Sequence, residues 1–99
     1  MEYEIKVLAP AVADLDSIIT YSSQFYPSTP KKFLDALEKV KLNLQDMPYM
    51  YPVYEKQPIY RKVVVLNYLV FYTVDDGKRL VNIHRILPGA WDIGRHLLT

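Results

Sequence analysis

Tyr60-Arg-Lys-Val-Val-Val-Leu-Asn67, Tyr68-Leu-Val-Phe-Tyr-Thr-Val-Asp75, Asp76-Gly-Lys-Arg79 and Leu80-Val-Asn-Ile-His-Arg-Ile-Leu-Pro88 follow one another through the second half of the chain. Residues 60–66 and 68–74 are rich in Val, Tyr and Phe and part only at Leu66-Asn67, which predicts two strands paired as a hairpin. Asp75-Asp76-Gly77 predicts the turn into a third strand over 79–87, and Pro88-Gly89 breaks that strand. A rigid sheet carrying Arg61 and Arg85 is the pattern of a surface that offers cations to a partner.

Upstream, residues 3–8 alternate apolar and polar with period two, so Tyr3, Ile5 and Val7 are expected to face a core. Pro10 suits the first turn of a helix. Behind it Val12, Leu15, Ile18, Ile19, Ser22 and Phe25 recur at helical spacing, with Asp14 and Asp16 near the positive end of the helix dipole and Pro27 beyond the stop. Ser28-Thr29-Pro30 caps a second helix whose apolar face is Phe33, Leu37, Val40, Leu44 and Met47, ended by Pro48. So short a joint predicts an antiparallel helical hairpin. Residues 48–58 are dense in Pro and Tyr and predict an ordered, irregular loop, while 90–98 reads as a short helix or arm.

The order β-α-α-β-β-β predicts an α+β fold, an antiparallel sheet with the helical hairpin packed on one face. With 99 residues, one domain spanning 1–99 is expected. Cysteine is absent, which excludes disulfides and thiolate metal sites. No apolar run approaches the ~20 residues of a membrane span, and the N-terminus lacks signal-peptide order, so a cytoplasmic protein is expected. Residues 1–50 hold five Lys against seven carboxylates, whereas residues 51–99 hold seven Lys or Arg against four, so the positive charge gathers on the strand half.

Each candidate residue has a plain structural reading beside its functional one. Arg61 is either an edge-strand arginine paired with a helix acid or part of a cationic surface. Arg85 is a solvated strand residue or the centre of that surface, and the surface is the favoured reading. Trp91 closes one end of the core or stacks on a partner; Asp92 caps a helix or pairs with an arginine; Arg95 and His96 lie on the tail. His84 sits in an apolar strand, where a hydrogen-bonded structural histidine competes with a proton carrier. The two histidines do not have metal-ligand spacing, so neither a metal nor a cofactor is expected. Tyr49, Tyr51, Tyr54 and Tyr60 form a secondary candidate for partner contact.

Several pieces taken together resemble the RelE/ParE superfamily of toxins from type II toxin–antitoxin pairs. Leu8-Ala-Pro-Ala-Val-Ala-Asp-Leu15 with Ile18 to Tyr21 is similar to the family's first helix, and Phe33 to Leu44 with Pro48 to its second. Arg61, seven residues before Tyr68-Leu-Val-Phe-Tyr-Thr-Val74, and Arg85-Ile-Leu-Pro-Gly-Ala-Trp-Asp92 resemble the ParE-like branch. That resemblance implies a growth-arresting toxin that binds DNA gyrase without a catalytic residue of its own, through Arg61, Arg85, Trp91, Asp92 and Arg95. The RelE-like alternative implies a metal-independent, ribosome-dependent mRNA endoribonuclease, with Lys56, Arg61, Lys62 and Arg85 on the phosphates and His84 moving protons. Leu69 stands where such nucleases carry a phosphate-binding arginine, and Pro88 and Trp91 where ParE-like relatives carry histidine and arginine. A degenerate toxin that only binds its antitoxin is a third implication. All three imply a cognate antitoxin as partner, with a segment that folds on binding.

Overall fold

The computed structural model describes residues 2–25, 29–90 and 97. Its order is β1 (Glu4–Val7), α1 (Ala9–Phe25), α2 (Thr29–Asp46), β2 (Arg61–Val65), β3 (Tyr68–Asp75) and β4 (Leu80–Pro88). The two helices pack on one face of a four-stranded sheet of order β1-β4-β3-β2, the α+β layering that the sequence predicts. Strands β2, β3 and β4 form the antiparallel meander, and β1 adds to β4 as a parallel edge, so the sheet as a whole is mixed. A turn can force neighbours antiparallel; β1 and β4 are joined through the helical hairpin and two other strands instead, which leaves β1 free to run either way.

The helices follow their apolar spacing with two corrections. On α2, Phe33, Leu37, Val40 and Leu44 are buried as expected, but Met47 is exposed because the helix ends at Asp46. On α1, Ala11, Ile18 and Ser22 are buried while Val12 is exposed. Alanine at position 11 has no side chain beyond Cβ, and this lets the helix lie close to the sheet on a face one residue earlier than predicted. Tyr3, Ile5 and Val7 pack against this core together with Val63, Val65, Val70, Tyr72, Val81, Ile83 and Ile86. A Phe33–Tyr68 edge-to-face pair, 5.3 Å between ring centres, fixes α2 on the sheet.

The sheet's other face, turned away from α1 and α2 and called the open face below, carries a smaller cluster of buried residues, Tyr54, Phe71, Leu87 and Leu97, with the partly buried Tyr60 and Leu69 against it. Strict alternation would put residues 81, 83, 85 and 87 of β4 on one face. It fails because Phe71 pairs with Arg85 while the next residue, Tyr72, pairs with Ile83, leaving His84 as an extra residue. Ile83 and Ile86 therefore both face the helices, and Leu87 faces the other way. Of the expected C-terminal helix or arm only Leu97 lies within the described residues, and no helix among them is long and apolar enough to cross a membrane.

Candidate functional site

Arg61 begins β2 in phase with Val63 and Val65, and its guanidinium is engaged by the Pro/Tyr loop. It donates to the Tyr51 carbonyl at 2.8 Å, reaches the Tyr49 carbonyl at 3.5 Å and lies 4.9 Å from the centre of the Tyr49 ring. Loop carbonyls and a ring take the place of the helix acid that the plain reading expected. The same loop pairs Val53 with Arg61, receives the Lys62 N–H on the Pro52 carbonyl at 3.1 Å, and receives the Tyr72 hydroxyl on the Pro48 carbonyl at 2.9 Å. Burial pushes the Tyr72 hydroxyl up to about 12, so it remains a donor throughout the neutral range.

The loop also carries Tyr54 and Tyr60 onto the open face. Tyr54 meets Phe71 edge-to-face at 5.2 Å, and Lys62 Nζ sits 5.5 Å from the Tyr54 ring centre. His84 Nε2 and Thr73 Oγ1 share a hydrogen bond of 2.8 Å, with the Tyr60 ring edge-on at 5.2 Å. Burial lowers the His84 pKa below its ordinary value, so the imidazole is neutral at pH 7. Leu69 belongs to this face and rests against its apolar cluster.

Arg85, next to His84 in sequence, serves the opposite side. Its Nε donates to Asp14 Oδ2 at 2.7 Å and its terminal nitrogen to Asp14 Oδ1 at 2.9 Å, while the Ile86 N–H also donates to Oδ2 at 2.9 Å. Strand β1 ends beside Ile83, so β4 continues past it with a bare edge, and the Asp14 carboxylate from α1 closes that edge. The hydrogen bonds that Arg85 donates to Asp14 raise its pKa further, and the two side chains are only 16% and 14% exposed. Arg85 is thus a link between α1 and β4 and not the open centre of a cationic surface. Beside the pair runs a groove of about 490 Å³ walled by Ser17, Tyr21, Tyr68 and Pro88.

The set Lys56, Arg61, Lys62, His84 and Arg85 is consequently not brought together. Lys62 and His84 share the open face, Lys56 is exposed on the loop, and Arg61 and Arg85 lie toward the helix side. Trp91, Asp92, Arg95 and His96 lie outside the described residues. Two carboxylates that the sequence reading did not single out as partners prove central. Asp14 could have been found from its position, since an acid between Ala11 and Ile18 on a packing helix face needs a donor. Asp76, absorbed into the turn reading, accepts hydroxyls from both Tyr3 and Tyr49. These bonds lower the Asp76 pKa, raise that of Tyr3 and push Tyr49 up to about 12.

A sequence model of the ParE toxin of the type II toxin–antitoxin system parDE matches residues 5–93, nearly the whole chain. The chain belongs to that family. No curated protein sequence matches this ParE-family toxin. Its fold is similar to three solved structures of low identity. The toxin–antitoxin complex RelBE2 from Mycobacterium tuberculosis aligns at TM-score 0.67 and 19% identity, covering 89% of this chain and 99% of that one. A chromosomal ParDE system from P. aeruginosa aligns at 0.62 and 18%, covering 88% and 96%. An archaeal RelE–RelB complex from Pyrococcus horikoshii OT3 aligns at 0.54 and 16%, covering 91% and 98%.

Proposed function

We propose that this ParE-family toxin arrests growth by binding DNA gyrase and that a cognate antitoxin neutralises it. The observation that carries the reading is the state of the cations. Catalysis of phosphodiester cleavage needs positive groups converging on one phosphate. Here Arg85 is bound to Asp14, Arg61 is turned to loop carbonyls, and Leu69 packs into an apolar cluster on the open face. Beside Lys62 this face holds a buried apolar cluster, with Tyr60 and Leu69 at its margin, where a phosphate would find little to bind it. On this reading the half-exposed Arg61, together with Trp91, Asp92 and Arg95 of the tail, meets the target, and Arg85 supports the surface from beneath. The antitoxin reading draws support from the family and from solved relatives that are toxin–antitoxin complexes.

One observation favours a second reading, mRNA cleavage on the ribosome. Lys62, Tyr60 and a neutral His84 share one face, and a neutral imidazole can accept a proton. Purified toxin assayed for gyrase supercoiling and for mRNA cleavage in translating ribosomes separates the two. Loss of supercoiling with intact mRNA is expected; cleaved mRNA with untouched gyrase overturns the proposal. Induced expression without antitoxin is expected to stop growth, and normal growth would leave a chain that only binds antitoxin.

A further inference from the structure

At one end of the sheet five side chains form a single line. Arg61 lies against the Tyr49 ring, the Tyr49 hydroxyl donates to Asp76 Oδ2, the Tyr3 hydroxyl donates to Asp76 Oδ1 at 2.6 Å, and the Arg79 guanidinium lies 4.6 Å from the Tyr3 ring centre. Four separate pieces of chain supply them: the start of β2, the Pro/Tyr loop, the β3–β4 turn and the residues leading into β1. The backbone of the turn is committed to this arrangement. Arg79 holds φ at 52°, a conformation that costs a non-glycine residue energy, and its carbonyl accepts the Glu4 N–H at 2.9 Å.

The two ends of the line meet on one carboxylate. Its oxygens are held rigidly to each other, so a rotation about Cβ–Cγ that follows one tyrosine carries the other oxygen away from the second. We propose that Asp76 is a latch coupling the seating of the residues before β1 to the Pro/Tyr loop, and through the loop to the aromatic cover of the open face. Tyr3 is tied to the scaffold by its own N–H, which donates to the Gln45 carbonyl at the end of α2. Strand β1 is four residues long and lies at the sheet's edge, so a partner that extends or lifts it acts directly on Tyr3. The loop responds as a unit because its amides are bonded internally: Tyr54 to the Tyr60 carbonyl, Gln57 to Tyr54 and Tyr60 to Gln57. The inference is independent of which target the toxin binds.

Hydrogen–deuterium exchange of the full chain tests it. Tyr3→Phe keeps the ring under Arg79 and removes only the hydroxyl. Exchange across 52–62, which includes the Tyr54, Gln57, Tyr60 and Lys62 amides, is expected to quicken about two- to fivefold, the scale of one exposed charge-assisted bond. Tyr49→Phe is expected to do the same, and the double variant to match Tyr49→Phe alone. In an Asp76→Ala background, Tyr3→Phe should have no further effect on the loop. The latch is overturned if Tyr3→Phe speeds exchange only in residues 3–8 and 80–84, if the two single effects multiply, or if protection falls equally at Val70 and Ile83 in the core.

Discussion

Replacing Asp14 with alanine is expected to be among the costliest single changes in this protein. Asp14 receives two bonds from Arg85 and one from the Ile86 N–H, and both side chains of the pair are mostly buried. Removal leaves a largely buried guanidinium without its counterion, which in a buried pair costs about 3–5 kcal/mol. Residual exposure at the rim puts the expectation near the lower limit, about 3 kcal/mol, and the orphaned Ile86 amide adds roughly 1 kcal/mol. Arg85→Met alone strands the carboxylate and is expected to cost about 2–3 kcal/mol, less because the Ile86 amide still serves it. In Asp14→Ala/Arg85→Met no charge is left unpaired and only the amide loses its partner, so the double variant should cost about 1–2 kcal/mol. The singles therefore sum to about 4–6 kcal/mol more than the double, above the roughly 0.5–3 kcal/mol usual for residues in contact, because each single strands a buried charge that the double removes. Urea denaturation at pH 7 reads this directly if midpoints shift and slopes do not. Single variants that each cost less than about 1 kcal/mol would show a solvated pair of ordinary surface strength, and the account of Arg85 as a link would fall.

Three further outcomes can be checked with standard measurements. Leu66 holds φ at 54° in the two-residue β2–β3 turn, so Leu66→Asn should raise stability by about 0.5–1 kcal/mol, and a lower urea midpoint would refute the claim of strain. Tyr72 has a folded-state pKa raised to about 12 from 10, so its contribution is complete below pH 10 and is lost as pH rises toward 12. Tyr72→Phe should cost about 1–2 kcal/mol at pH 7 by orphaning the Pro48 carbonyl, and should flatten the alkaline limb of the stability curve. His84 has its pKa lowered by burial, so its contribution is complete above pH 6.5 and is lost as pH falls; His84→Phe should remove that slope, and an unchanged slope would assign it elsewhere.

The sequence carried the helices and the meander because their signals are local. Period-two apolar residues, a two-residue hairpin and the face through Phe33, Leu37, Val40 and Leu44 need no knowledge of distant neighbours. The parallel placement of β1 and the shift of the α1 face to Ala11 depend on which elements meet, and no local pattern encodes that. The site was less legible for the same reason. Arg61 and Arg85 were visible as cations, yet their partners lie 10 and 71 residues away, in a loop and on α1. Asp76 looked like turn chemistry because Asp-Gly is turn chemistry; its second duty depends on two tyrosines from elsewhere in the chain.

The extra residue at His84 sets which way β4 turns its cation, at the scale of a single codon. With His84 deleted, the pairs on either side keep their register, so Ile83, Ile86 and Leu87 stay on their faces and Arg85 follows Ile83 directly, opposite Phe71 on the open face. The interior would keep its residues, while the outer surface would turn Arg85 toward Lys62 and lose the hydrogen bond between His84 and Thr73. A one-residue deletion is thus a short route from an apolar face to one that carries two cations. It passes through a single bulge, leaving the inventory of residues almost untouched.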